Sequence, residues 1–253
     1  MAQTIAIANH KGGVGKTTTA VNIGAGLAQR GYKTLLVDMD AQANLTDTLH
    51  VTHTQFNVYD IMKGEAEALP VMITPALHVI PAVLDLATAE VELCTAIGRE
   101  KLLAEALQPL QMQYDYIIID TAPTLGLLTI NALTAADVVI IPMQAEYYAL
   151  KGVKGLTDVI ANVQRRINSS LRIGGVIITQ YDTRTTLHKQ LRDTIAAQFG
   201  EAMFNTSVRN CIAVAEAQAK GSDIFAYDDS SAGAEDYRNI VEEIIQRFPR
   251  TNA

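Results

Sequence analysis

Lys11-Gly12-Gly13-Val14-Gly15-Lys16-Thr17-Thr18 follows a short apolar run, Thr4-Ile5-Ala6-Ile7-Ala8, and opens a stretch from Thr17 to Arg30 in which Val21, Ile23 and Leu27 carry helical spacing. Strand, glycine-rich turn and helix in that order make a phosphate site. Glycines let consecutive backbone N–H groups face one anion, with no side chain barring the phosphate oxygens. The helix beginning near Lys16 adds the positive end of its dipole and its unpaired donors. Lys16 can reach the β- and γ-phosphates of a nucleotide, and the Thr17 hydroxyl can ligate Mg²⁺. The usual G-x-x-x-x-G-K-[ST] spacing is not met in full. Its first glycine falls on His10, and a second lysine, Lys11, stands beside it.

Outward from that run, Gly31 stops the helix and Lys33-Thr34-Leu35-Leu36-Val37 forms a second buried strand ending at Asp38. Two strands joined by one helix form a right-handed parallel βαβ unit. Further strands are expected at Leu77–Pro81, Tyr116–Asp120, Asp137–Pro142 and Ile173–Thr179, with a short last one at Phe204–Val208. Helices are expected over Glu90–Leu107, from about Tyr148 to Arg166, and over Thr186–Phe199. Alternation of this kind predicts an α/β fold over residues 1–253: a single doubly wound domain, its mostly parallel sheet flanked by helices, with ligands at the strand C-termini.

Composition agrees. Of 253 residues, 49% are hydrophobic and 6% aromatic, with no Trp, as suits a Val/Ile/Leu sheet clad in Ala-rich helices. A net charge of −7 gives no global sign of nucleic-acid affinity, so DNA binding would need a local basic patch. Cys94 and Cys211 are far apart and outside any C-x-x-C pair, which reads as two reduced thiols. Without a basic n-region at Met1 or an apolar run of membrane-spanning length, the expected location is the cytoplasm.

Acidic residues close two of the strands. Asp38 and Asp40 lie in Val37-Asp38-Met39-Asp40-Ala41-Gln42, and Asp120 follows four apolar residues and precedes Thr121-Ala122-Pro123. Carboxylates beside a triphosphate serve Mg²⁺ or a water; the alternative at each position is a helix cap. Beside Lys16, Asp120 reads as the acid that holds the metal.

The run from Lys11 to Thr18 resembles the K-G-G-x-G-K-[ST]-[ST] signature of the deviant Walker A P-loop ATPases. That resemblance implies ATP binding by Lys11, Gly12, Gly13, Val14, Gly15, Lys16, Thr17 and Thr18. Lys16 would be the P-loop lysine, and Lys11 would reach across a dimer interface to the partner's phosphates. The logic is that of an arginine finger. The D-x-D-P-Q switch of the family falls on Asp38 to Gln42, with Ala41 in place of Pro. Asp40 is then the residue that positions the attacking water, and it joins Thr17 and Asp120 around Mg²⁺.

Further resemblance covers nearly the whole chain in order. Gln144-Ala145-Glu146-Tyr147-Tyr148-Ala149-Leu150-Lys151-Gly152 looks like the Q-x-E-Y-Y-A-L-x-G segment of the ParA/Soj partition ATPases, and Tyr181-Asp182-Thr183-Arg184-Thr185 like their Y-D-x-R-T turn. Ala215-Glu216-Ala217 and Ser231-Ala232-Gly233-Ala234-Glu235-Asp236-Tyr237 are similar to their S/A-E-A and S-x-G-A-x-x-Y segments. The resemblance implies a small Soj-type ATPase without the N-terminal DNA-binding extension of larger partition proteins. It implies an ATP-dependent sandwich homodimer on non-specific double-stranded DNA, and hydrolysis stimulated by a ParB-type or other cargo-bound activator. The place implied is the cytoplasm, associated with the nucleoid and not with a membrane.

For DNA contact the candidates are Arg184, Lys189, Arg192, Arg209 and Lys220; Arg184, His188 and Arg192 are spaced four apart, as on one helix face. One segment departs from the family. Aligned on Glu216 with its P-R-N-V-R-L-S-E pattern, the chain has Asn210 and Ala213 at the two arginines. Arg209 and Cys211 fall at the Pro and Asn that flank the adenine. Three rivals share the fold. A MinD-like membrane-surface ATPase would need a basic amphipathic helix, but Glu242 and Glu243 spoil the stretch from Tyr237 to Phe248. An iron–sulfur reductase component would need cysteines between Asp120 and Met143, where there are none. A small-molecule ligase or kinase would need an acceptor site. A fourth reading keeps the chemistry and changes the cargo to a protein assembly.

Overall fold

The computed structural model describes residues 1–52, 55–146 and 149–250. Seven strands are described: β1 (Gln3–Ile7), β2 (Thr34–Met39), β3 (Val71–Thr74), β4 (Leu77–Ile80), β5 (Tyr116–Thr121), β6 (Val138–Gln144) and β7 (Arg172–Thr179). They form one sheet in the order β3-β4-β2-β5-β1-β6-β7. All neighbouring pairs are parallel except β3 with β4. β1, β2 and β5 are buried at every residue, which is why they read as unbroken apolar runs.

Helices cover both faces. Those described are α1 (Lys16–Gln29), α2 (Asn44–Thr48), α3 (Val58–Lys63), α4 (Ala89–Glu92), α5 (Leu102–Leu107), α6 (Leu127–Ala135), α7 (Ala149–Arg166), α8 (Thr186–Phe199), α9 (Ile212–Ala219), α10 (Ile224–Asp228) and α11 (Ala232–Arg247). Successive residues of β5 serve opposite layers. Ile118 packs with Val21 and Leu27 of α1 and with Ile240, Val241 and Ile244 of α11. Ile117 and Ile119 pack with α3, α5 and α6 through Ile61, Leu103 and Leu128. A third cluster joins Val139 and Ile141 of β6 to Val153, Leu156 and Ile160 of α7. Each fully buried Ile or Leu contributes about 1.5–3 kcal/mol of transfer free energy, so the centre of the sheet is the rigid part. The apolar side of α11 is spent on this packing, with Ile240 and Ile244 fully buried. Among the described residues, no helix is long and apolar enough to cross a membrane.

Two expectations need correction, and one strand is additional. The long helix over Glu90–Leu107 is broken: α4 runs into a 3₁₀ turn at Leu93–Thr95, Ala96 is extended, and Gly98 takes φ 70°. A tertiary contact holds the break open. The buried Asn131 side chain accepts the Leu103 N–H (3.1 Å) and donates to the Arg99 carbonyl (2.8 Å). The short strand β3 is an addition; it forms a hairpin with β4 at the sheet edge, half exposed along its length. Finally, Phe204–Val208 is no strand but touches the edge of β7 at intervals. The Phe204 and Val208 N–H groups bond Val176 and Ile178 carbonyls (3.0 and 2.8 Å), while those of Asn205 and Thr206 turn to the Glu243 carboxylate. The helix expected from about Tyr148 is described from Ala149, so Tyr147 and Tyr148 lie outside the described residues.

Candidate nucleotide site

The loop after β1 is pinned by its carbonyls. Gly13 (φ 73°) and Gly15 (φ 85°) take the left-handed conformation, which glycine adopts without strain. The Gly13 carbonyl accepts amide hydrogens from Gln144 (3.2 Å) and Gln180 (2.9 Å), and the Val14 carbonyl accepts the Thr179 hydroxyl (2.8 Å). With these carbonyls drawn toward the ends of β6 and β7, the N–H groups of the loop are left for an anion. Asn9, buried, anchors the entry: it donates to the Pro142 carbonyl (2.7 Å) and accepts the Lys11 N–H (3.0 Å). Neither Asn9 nor Gln180 was legible in the sequence. Gln180 works from φ 51°, a conformation that its residue type does not advertise.

Lys16, at the first turn of α1, is 7% exposed and donates to the Lys11 carbonyl (3.3 Å). Burial lowers its pKa, while Asp120 and then Asp40 act to raise it. Below it, both Asp120 carboxylate oxygens are buried without a hydrogen-bond partner. Burial and then the nearby Asp38 push the Asp120 pKa well up; the Thr17 hydroxyl, close but outside hydrogen-bond geometry, pulls the other way. A buried carboxylate left unpaired is costly unless something cationic meets it. Among the described residues no group of three or more His, Cys, Asp or Glu side chains could hold an ion unaided. Mg²⁺ suits such a place, because it takes one or two protein oxygens and completes its shell with phosphates and water.

The two aspartates of the β2 end divide the work. Asp38 accepts the Thr46 N–H (3.0 Å) and hydroxyl (2.7 Å) and the Asp40 N–H (3.1 Å). It ties the loop to α2, and burial pushes its pKa up to about 6. Asp40, 8% exposed, accepts the Gln42 N–H (2.9 Å) and stands close enough to Lys16 to influence its charge. Lys11 is half exposed and bound within its own chain, to Glu146 (2.5 Å) and to the Gln144 amide oxygen (3.1 Å).

A cavity of about 270 Å³ opens beside Gly15 and Thr18, walled by Gln180, Arg209, Cys211 and Tyr237. Arg209 and Cys211 thus line a cavity that adjoins the phosphate loop. Thr18 donates to the Gln218 side chain (3.0 Å) at its rim.

The basic candidates for DNA contact are more scattered than their spacing suggests. Arg184 precedes α8 and forks onto Asp182 (3.0 and 2.9 Å), though it is largely exposed. His188 and Arg192 turn inward, His188 accepting the Asp182 N–H (3.0 Å) and Arg192 donating to Ser207 and to the Asn205 carbonyl. His188 and Arg192 thus look toward the chain, while Arg184, Lys189 and Lys220 are exposed. Arg209 is half-buried, with Nε and Nη2 bonded to Asp236, Glu235 and the Ala232 carbonyl.

A testable consequence follows from Asp120. Asp120→Asn keeps the shape and removes the charge that would meet the metal. The extra thermal stabilisation that Mg²⁺ adds to ATP should vanish in the same variant. Thermal shifts with ATP, with and without Mg²⁺, check this; an intact magnesium increment would remove Asp120 from the metal site.

A family profile described as an AAA domain matches residues 2–173. The chain is 44% identical over 249 residues to the sporulation initiation inhibitor protein Soj of Bacillus subtilis, covering 96% of this chain and 98% of that one. It is 42% identical over 250 residues to the chromosome-partitioning ATPase Soj of Treponema pallidum, covering 98% of each. Among solved structures, cobyrinic acid a,c-diamide synthase from Mycobacterium smegmatis with bound ADP and magnesium superposes with a TM-score of 0.87 at 34% identity, covering 100% of this chain and 97% of that one.

Proposed function

The chain belongs to the Soj/ParA family of chromosome-partitioning ATPases, and from that premise we propose that it is an ATP-driven dimerisation switch that holds DNA cargo on bulk DNA. It is an ATP hydrolase that works with ATP and Mg²⁺. The observation that carries the rest is the pairing of a complete phosphate loop with a second lysine, Lys11, held at its rim by half-exposed partners.

The residues take roles accordingly. The N–H groups from Gly12 to Thr18 and the Lys16 ammonium bind the phosphates. Thr17, Asp40 and Asp120 would hold Mg²⁺, which would neutralise phosphate charge when bound. Asp40 orients the attacking water, and Lys11 of one subunit completes charge neutralisation in the other. Arg209 and Cys211 wall the base pocket. Residues 1–253 act as one ATPase domain. Lys189, Lys220 and Arg184 offer the phosphate contacts that sequence-independent DNA binding needs, each counted twice in a dimer. A ParB-type or other cargo-bound activator stimulates hydrolysis and so releases the dimer. The site of action is the nucleoid in the cytoplasm. A membrane-surface role is disfavoured by α11, whose apolar side is already packed. Positioning of a protein cargo would use the same chemistry with a different partner.

The test is binding to non-specific duplex DNA and to anionic liposomes with ATP, ADP or no nucleotide. Salt-sensitive DNA binding that requires ATP is expected, with none to liposomes. Asp40→Ala, which retains ATP, should hold DNA persistently while hydrolysis falls about a hundredfold or more, the scale of a lost proton-transfer or water-positioning group. DNA binding indifferent to nucleotide, or absent at low salt, would overturn the partition reading.

A further inference from the structure

Arg209 is the most heavily bonded cation at the nucleotide site. Its Nε donates to both Asp236 oxygens (3.0 and 2.9 Å), and its backbone N–H reaches the same carboxylate (2.8 Å). Its Nη2 donates to the Ala232 carbonyl (3.0 Å) and to Glu235 (2.5 Å). Asp236 is 5% exposed while the Arg209 side chain keeps about a third of its surface in solvent, so the pair joins a half-exposed cation to a buried carboxylate. The partners belong to the first turn and a half of α11.

The next residue of that turn points elsewhere. Tyr237 is buried, and its hydroxyl lies 3.3 Å from the Thr19 hydroxyl in α1, the helix that carries Lys16 and Thr17. One helical turn therefore grips both walls of the 270 Å³ cavity, the loop at 208–211 through Asp236 and the phosphate helix through Tyr237. Otherwise that loop is attached to the end of β7 by backbone hydrogen bonds alone: Val208 N–H to the Ile178 carbonyl (2.8 Å), Tyr181 N–H to the Val208 carbonyl (2.9 Å) and Asn210 N–H to the Tyr181 carbonyl (3.0 Å). A planar guanidinium fixed on a buried carboxylate is a rigid connection, and a rigid wall lowers the ordering cost of ligand binding.

We propose that Arg209 is a positioning residue for the nucleotide base: bound to Asp236, it fixes the 208–211 loop as one wall of the base pocket and registers that wall against the phosphate loop. The role rests on the reading that this cavity takes the base, and it removes Arg209 from the residues that meet DNA.

The experiment measures the affinity of the full chain for Mg²⁺-ADP and for inorganic tripolyphosphate, which has no base. Arg209→Ala should weaken ADP by about tenfold or more while leaving tripolyphosphate within about twofold, since only the base end loses its wall. Asp236→Ala should give a similar loss, and the double variant should be little worse than either, the signature of one shared interaction. Should Arg209→Ala fail to fold, Arg209→Lys and Asp236→Asn carry the same comparison, because neither replacement can form the bidentate pair. ADP affinity unchanged in these variants would overturn the proposal. So would equal weakening of both ligands, or loss of DNA binding with ADP affinity intact. If the unaltered chain bound no ADP, the nucleotide reading itself would fall first.

Discussion

Lys16→Ala is expected to abolish nucleotide binding at ordinary concentrations. The ammonium is almost wholly buried, and burial pulls its pKa down while Asp120 and Asp40 act to keep it charged. A cation in that position is stabilised only by anions around it, and the phosphates of ATP are the anions the loop is shaped to receive. Removing it leaves a triphosphate facing two carboxylates with one positive charge fewer. Losing one partner of a buried charge pair costs about 3–5 kcal/mol. At ~1.4 kcal/mol per decade, affinity should fall by roughly a hundredfold to several thousandfold. Titration with a fluorescent ADP analogue would show it, with circular dichroism as the control for folding. Retention of affinity within about tenfold would mean that the backbone N–H groups carry the phosphate alone.

Why that site could be read so early is a matter of where information resides. The loop is local: strand, glycines, lysine and helix are contiguous, and each residue type states its own reason. Asp40 and Asp120 were legible because an acid at the end of an apolar parallel strand is uncommon without a ligand. What supports them was not legible. Gln180 and Asn9 act across distant parts of the chain, and their geometry arises only when β1, β6 and β7 lie side by side, while Thr46 returns to Asp38 only through the way α2 packs at the end of β2. The broken helix at Leu93–Thr95 failed for the same reason, since its interruption is held by Asn131 some thirty residues away. Periodicity placed Arg184, His188 and Arg192 on one face but could not say that Ser207 and Asp182 would claim it. Local spacing fixes which residues share a side; only packing decides what that side meets.

Lys11→Ala should leave ATP binding nearly intact while hydrolysis falls about a thousandfold or more, the lower end of what a finger residue supplied by a partner is worth. In the single chain Lys11 is held by Glu146 and Gln144, with the Lys11 and Glu146 side chains half exposed. A surface pair of that kind is worth about 0–1 kcal/mol, so the lysine can leave it at little cost once another subunit presents phosphates. Lys16 cannot move in this way, because burial and the P-loop hold it. The two lysines are thus separable: one loss empties the site, the other leaves it filled and idle. Mixing Lys11→Ala with Asp40→Ala distinguishes action between subunits from action within one. Both variants bind ATP, and in a mixed dimer the subunit that lacks Lys11 keeps Asp40 and receives Lys11 from its partner. Random pairing makes half of the dimers mixed, each with one complete site of two, so the mixture should recover roughly a quarter of the unaltered rate. A lysine acting only within its own chain would recover none, because neither variant then holds both groups in one site.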